Sequence, residues 1–107
     1  MILNLYKNNN LELTVSGILH KDKAIFNNIV YDIKNKILIK DEETYKYSID
    51  FSHNEAIVEL KEYGYFLSLN VKIIEIIEQK DKYQIMYQIE SEDDVINKIE
   101  IFLKPIN

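Results

Sequence analysis

Cysteine is absent from this 107-residue chain, and so is arginine: all 13 basic residues are lysine. Without cysteine there is no disulfide framework and no thiolate metal site. Without arginine there is no planar, bidentate group for phosphate or guanine. Only two glycines are present, so there is no glycine-rich phosphate loop, and no Gly-x-Ser-x-Gly nucleophile motif occurs. Only two histidines are present, His20 and His53, at no recognised ligand spacing from each other. No apolar run approaches the roughly 20 residues that span a bilayer. No basic segment followed by a sustained apolar one opens the chain, so no signal peptide is read and a cytoplasmic location is expected.

The content fits one domain, 1–107, with hydrophobic residues at 47% supplying a core. Heavy use of isoleucine, asparagine, lysine and tyrosine follows AT-rich coding. The net charge of −5 is uneven. Residues 1–54 hold seven acids and seven lysines, whereas 55–107 hold eleven acids and six lysines. A negative surface repels nucleic acid, so no direct nucleic-acid binding is expected.

Period-two alternation dominates the pattern. It is clearest at Tyr65, Leu67, Leu69, Val71 and Ile73, and at Tyr83, Ile85, Tyr87 and Ile89, which predict two long strands, 65–77 and 83–90. Shorter strands are expected at 2–6, 11–19, 24–33, 36–40 and 44–51, separated by polar turns. Gly17 inside a strand predicts a bulge or the close approach of another backbone. Lys34-Asn35 predicts a tight hairpin. The expected fold is mainly β: a small antiparallel meander forming a barrel or sandwich.

Three segments also allow a helix; in one of them, 71–79 through Ile73, Ile76 and Ile77, the alternation that begins well before it and the dense isoleucine favour a strand. Ser52-His53-Asn54-Glu55 has capping-box spacing, and Gly64 sits where a helix over 53–63 would stop. Ser91 to Asp94 could start a second helix over 95–104, which would make the fold α+β. There β-branched alternation through Val95, Ile99, Ile101 and Leu103 favours a strand.

Phe51 ends a strand, Tyr63-Gly64 makes a turn, and alternating apolar residues run from Phe66. Ile85-Met86-Tyr87-Gln88-Ile89 gives a tyrosine-bearing strand and Ile99-Glu100-Ile101 a last one. These features, spread between Ile37 and Leu103, resemble YwiB-like proteins, a family of small bacterial β-barrels with a calycin-like fold. The chain departs from the family at Glu62, where Pro or Thr is usual beside the turn, and in lacking arginine. The resemblance implies a calycin-like barrel able to hold a small apolar ligand.

No catalytic site is expected. Asp50, Ser52, His53 and Glu55 gather serine, histidine and carboxylates, but as caps and turn residues. Nothing supplies an oxyanion hole beside them. No metal or cofactor is expected: Asp41-Glu42-Glu43 and Glu92-Asp93-Asp94 lack the glycine and alternating oxygens of a calcium loop. Two non-enzymatic functions remain. The first is an acidic protein-binding domain, an inhibitor of the anti-defence or immunity type. It would present Glu55, Glu59, Glu62, Glu90, Glu92, Asp93 and Asp94 to a basic, nucleic-acid-handling protein partner, with charge steering the encounter. The second is a barrel whose cavity, lined by Tyr45, Tyr47, Tyr83 and Tyr87, holds a small apolar ligand. A homo-oligomer through strand edges is compatible with either.

Overall fold

Residues 1–92 and 94–103 are described in the computed structural model, and none of them is helical. Eleven strands follow one another: β1 (Ile2–Lys7), β2 (Asn10–Ser16), β3 (Ile18–His20), β4 (Lys23–Phe26), β5 (Ile29–Asp32), β6 (Ile37–Asp41), β7 (Tyr45–Asp50), β8 (Glu55–Leu60), β9 (Tyr65–Glu78), β10 (Lys82–Ile89) and β11 (Asn97–Phe102). The turns explain the boundaries. Asn8 and Asn9 both have positive φ, 50° and 67°, which suits a two-residue hairpin to the right-handed twist of β1 and β2. Loops 33–36, 51–54 and 61–64 each close on a left-handed residue: Lys36, Asn54 and Gly64. Asparagine and glycine take that conformation at little cost.

All pairings are antiparallel, and the spatial order is β2-β1-β11-β10-β9-β8-β7-β6-β5-β4-β3. The two ends of this order, β2 and β3, are joined in the chain by Gly17 alone. β2 bonds to β1 and β3 bonds to β4, so one kinked run of chain links both ends of the sheet into a nearly closed barrel. Gly17 is the residue that permits this. A Cβ there would collide with the Ile25 carbonyl oxygen and the Phe26 ring. Its N–H donates to the Met1 carbonyl at 3.0 Å.

β9 crosses from one half of the barrel to the other. Tyr65 to Asn70 pair with β8, and Val71 to Glu78 pair with β10. At the changeover the Asn70 N–H donates to the Glu90 carboxylate at 3.0 Å, and its carbonyl accepts from the Glu90 N–H at 2.8 Å. Two bulges bend the strands: Glu12 is the unpaired residue between β1 and β2, and Ile74 the one between β9 and β10.

Inward positions are apolar and buried: Leu3, Phe26, Ile29, Tyr31, Leu38, Ile49, Ile99 and Ile101 are among them. On the outside of the β2-β1-β11-β10 quarter runs a polar row, Thr14, Asn4, Glu100 and Gln84, in direct register. Glu100 is only 9% exposed. It accepts from Asn4 Nδ2 at 3.1 Å and Tyr6 OH at 3.3 Å, with Lys82 Nζ at 3.4 Å. Burial pushes its carboxyl up, but the Asn4 hydrogen bond and the nearby Lys82 and Lys98 outweigh that and hold it below the usual range.

Several expectations are corrected. The helix over 53–63 is instead a four-residue loop followed by β8. The Asp50 carboxylate accepts from the N–H groups of Ser52 and His53, closing the loop as the expected serine cap would have opened a helix. The α+β alternative falls too, since Asn97–Phe102 is strand β11; residue 104 of that segment lies outside the described residues. The segment 24–33 is not one strand, because Asn27 (φ 54°) turns the chain between β4 and β5. The next hairpin takes its positive φ at Lys36 rather than Asn35, whose N–H and amide both bond the Asp32 carboxylate.

Candidate functional site

The Tyr65–Asn70 half of β9 pairs with β8 but not with β10, so the β8–β9 hairpin reaches beyond the rest of the sheet. A cavity of about 550 Å³ opens at this end. Its walls are Tyr45, Tyr47 and Ile49 of β7, Ala56 and Val58 of β8, Leu69 of β9, Tyr87 and Ile89 of β10, and Leu5 of β1. Lys7, Glu12, Lys40, Glu92, Asn97 and Lys98 add the polar groups. The bulge at Glu12 breaks the strand alternation, so Leu11 is exposed opposite Tyr6 while Leu13 packs inward opposite Leu5, and Glu12 borders the opening.

The aromatic wall is ordered. The Tyr45 and Tyr47 rings stack with centroids 6.2 Å apart and planes 9° from parallel. Being two apart on one strand, they share a face by necessity. Burial, with Tyr45 and Glu42 nearby, pushes the Tyr47 phenol up to about 12. Tyr87 meets Phe51 edge-on at 5.1 Å, and burial raises its phenol well above the ordinary value. Both hydroxyls therefore stay protonated at neutral pH and act as neutral hydrogen-bonding groups.

One polar atom is out of balance. The Asn97 side-chain nitrogen is shut off from solvent and has no hydrogen-bond partner among the described residues. Asn97 stands in register between Lys7 on β1 and Tyr87 on β10, and all three line the cavity. An unpaired buried amide costs about 1–3 kcal/mol.

A second, shallower cleft of about 640 Å³ lies between β2 and the β4–β5 turn and shares Leu5, Glu12 and Lys40 with the cavity. The far end of the barrel is shut. Tyr31 and Tyr83 pack with centroids 6.4 Å apart, and Lys36 Nζ reaches Glu78 Oε1 at 2.8 Å.

Of the tyrosines expected to line a cavity, Tyr45, Tyr47 and Tyr87 do. Tyr83 does not: it faces inward four residues away on β10, at the shut end. The carboxylates do not form one surface. Glu55 and Glu59 lie on the outer face of β8, where Glu55 accepts from Ser68 Oγ at 2.9 Å and Glu59 stands opposite Phe66. Glu62 is in the following turn, not on a shared helical side with them. Glu90 is engaged with Asn70, and Glu92 stands at the cavity. Asp94 is exposed, and Asp93 lies outside the described residues. Around the β8–β9 turn Tyr63, Tyr65, Phe66 and Leu67 are each at least half exposed. His53 Nδ1 lies 2.8 Å from Asp50 Oδ2, in an exposed turn, and Ser52 Oγ donates to the Asn35 carbonyl. Among the described residues no group of three or more histidine and carboxylate side chains is placed to hold a metal ion. Nor is any helix there long and apolar enough to cross a membrane.

Lys7 and Asn97 were not legible as cavity residues. Lys7 reads as the start of a polar turn and Asn97 as part of an ambiguous segment. Only the pairing of β1 with β11, about ninety residues apart in the chain, sets them side by side. No family model matches the chain, and neither curated proteins nor solved structures give a match.

Proposed function

We propose that the protein is a calycin-like, YwiB-like binding barrel that takes a small, mostly apolar molecule into its open end. The observation that carries this reading is the 550 Å³ cavity with its stacked Tyr45–Tyr47 wall. That volume lies within the range of small-molecule sites, and a largely apolar wall with a few polar groups is what such sites share. Among the described residues of the cavity no hydrogen bond pairs a nucleophile with a base, and the reading is accordingly a carrier or sensor. The test is titration with Nile red, a neutral apolar fluorophore, against the protein and Val58→Trp. Val58 lines the cavity and is half-buried, so the indole fills space without disrupting the deeper core. Enhanced fluorescence in the parent, lost in the variant at unchanged Tm, is expected. Equal binding by both would place the dye elsewhere and end the reading.

The β8–β9 hairpin favours a second reading, an inhibitor that docks on a basic protein partner. Tyr65 and Phe66 are 66% and 67% exposed, with Glu59 directly opposite Phe66 and Glu62 beside the turn. Exposed aromatics can anchor an interface while a carboxylate rim steers a cationic surface. It predicts retention of a basic protein at low salt and release at high salt. Combined Glu55→Lys, Glu59→Lys and Glu62→Lys should abolish retention. Retention untouched by that reversal would remove this reading.

A further inference from the structure

Three side chains stand in one cross-strand row on the cavity side: Lys7 of β1, Asn97 of β11 and Tyr87 of β10. Neighbours directly across a ladder have Cβ atoms about 5 Å apart, so their polar ends can converge on one group. The row offers an ammonium, an amide N–H and a phenolic hydroxyl. The amide nitrogen is buried and unpartnered, and Lys7 makes no ion pair among the described residues. Both need an acceptor, and an anionic acceptor satisfies both together. Among the described residues three lysines and two glutamates line the cavity, although the chain as a whole carries a charge of −5. The opening is thus locally cationic in an acidic protein.

We infer that the cavity takes an apolar carboxylate, its carboxylate received by Lys7 and Asn97 beside Tyr87 and its body laid against Tyr45 and Tyr47. This rests on the small-molecule reading above and adds the ligand's chemical class. A neutral alcohol leaves Lys7 without a counter-charge. An amine finds Glu12 and Glu92 but leaves the Asn97 amide N–H unmet and sets a second cation beside Lys7.

The test is displacement of Nile red by three probes with one chain and different heads: decanoate, decan-1-ol and decylamine. Decanoate should displace at about tenfold lower concentration than decanol, the size of one hydrogen bond to a charged group. Asn97→Leu and Lys7→Gln should each bring decanoate down to the level of decanol. Asn97→Leu should also hold or raise Tm, because its amide nitrogen has no partner to lose. A scaffold role for Asn97 predicts the opposite, a lowered Tm. Equal displacement by decanoate and decanol, or preference for decylamine, would overturn the carboxylate and leave the cavity reading standing. Bound dye that none of the probes displaces would overturn it as well. Failure of the dye itself to bind would overturn both.

Discussion

Glycine plays two different parts in this chain, and the difference can be measured. Gly17 sits where two backbones touch, so any side chain there forces β3 away from β4. Gly64 has no atom within 4 Å of where its Cβ would be, but its φ is +68°. Gly17→Ala should therefore cost about 1–3 kcal/mol as an overpacked contact. Gly64→Ala should cost about 1–2 kcal/mol through backbone strain alone. Gly17→Val should worsen the first loss further, whereas Gly64→Asn should recover most of the second, by urea denaturation. Glu100 gives a second residue-level prediction. Its folded pKa is depressed by Asn4 and Lys82 against the opposing effect of burial, and that of Asp32 by hydrogen bonds from Asn35. A depressed carboxyl contributes stability that is present above the unfolded value, about 4.3 for glutamate, and lost as pH falls through the folded value. Unfolding free energy should be flat near neutrality and drop below about pH 4.5. Glu100→Gln should flatten part of that drop. An unchanged acid limb would show that Glu100 keeps its charge no better when folded than when unfolded.

At the level of elements, the hairpins were legible where alternation was long and turns polar. The pair β9 and β10 was readable to within a residue at every end, because period two persists over many positions. The 53–63 segment was not, because a four-residue hairpin loop and a helix start use the same chemistry. Both place a carboxylate or hydroxyl over the first free N–H groups. What separates them is Asn54, whose φ of 54° stops the helical turn before it propagates. Asn54→Gly should be neutral or stabilising, and Asn54→Ala should lose about 1 kcal/mol. A helix would reverse that order, since alanine exceeds glycine by about 1 kcal/mol in a helix interior. Thermal denaturation of the two variants decides between them. The break at Asn27-Asn28 was hidden for another reason: apolar residues flank it on both sides, and two asparagines are a weak signal without glycine.

Across the whole molecule, alternation reveals which face a residue occupies but not how deep it lies along the barrel. Tyr83 and Tyr87 share a face of β10, yet one plugs the shut end and the other borders the cavity. Depth depends on which strands overreach their neighbours, and that follows from register over the whole sheet. The Lys7–Asn97–Tyr87 row was invisible for the same reason, since it exists only once β11 inserts between β1 and β10. Closure through Gly17 came closest to being read in advance: a bulge or a close backbone approach was expected there, and of the two it is the approach of the Ile25 carbonyl that the structure has. Among the described residues the same closure leaves the outer edge of β2 unpaired beside the shallow cleft.

The central claim is that the open end of the barrel is where a ligand sits. The most direct measurement is a ¹⁵N–¹H correlation spectrum recorded through a titration with Nile red. The account predicts saturable shifts at the amides of Tyr45, Tyr47, Leu69, Tyr87 and Asn97, with those of Tyr31 and Tyr83 at the shut end unmoved. Shifts confined to Tyr63, Tyr65, Phe66 and Leu67 on the exposed hairpin, or no saturable shift at all, would contradict it.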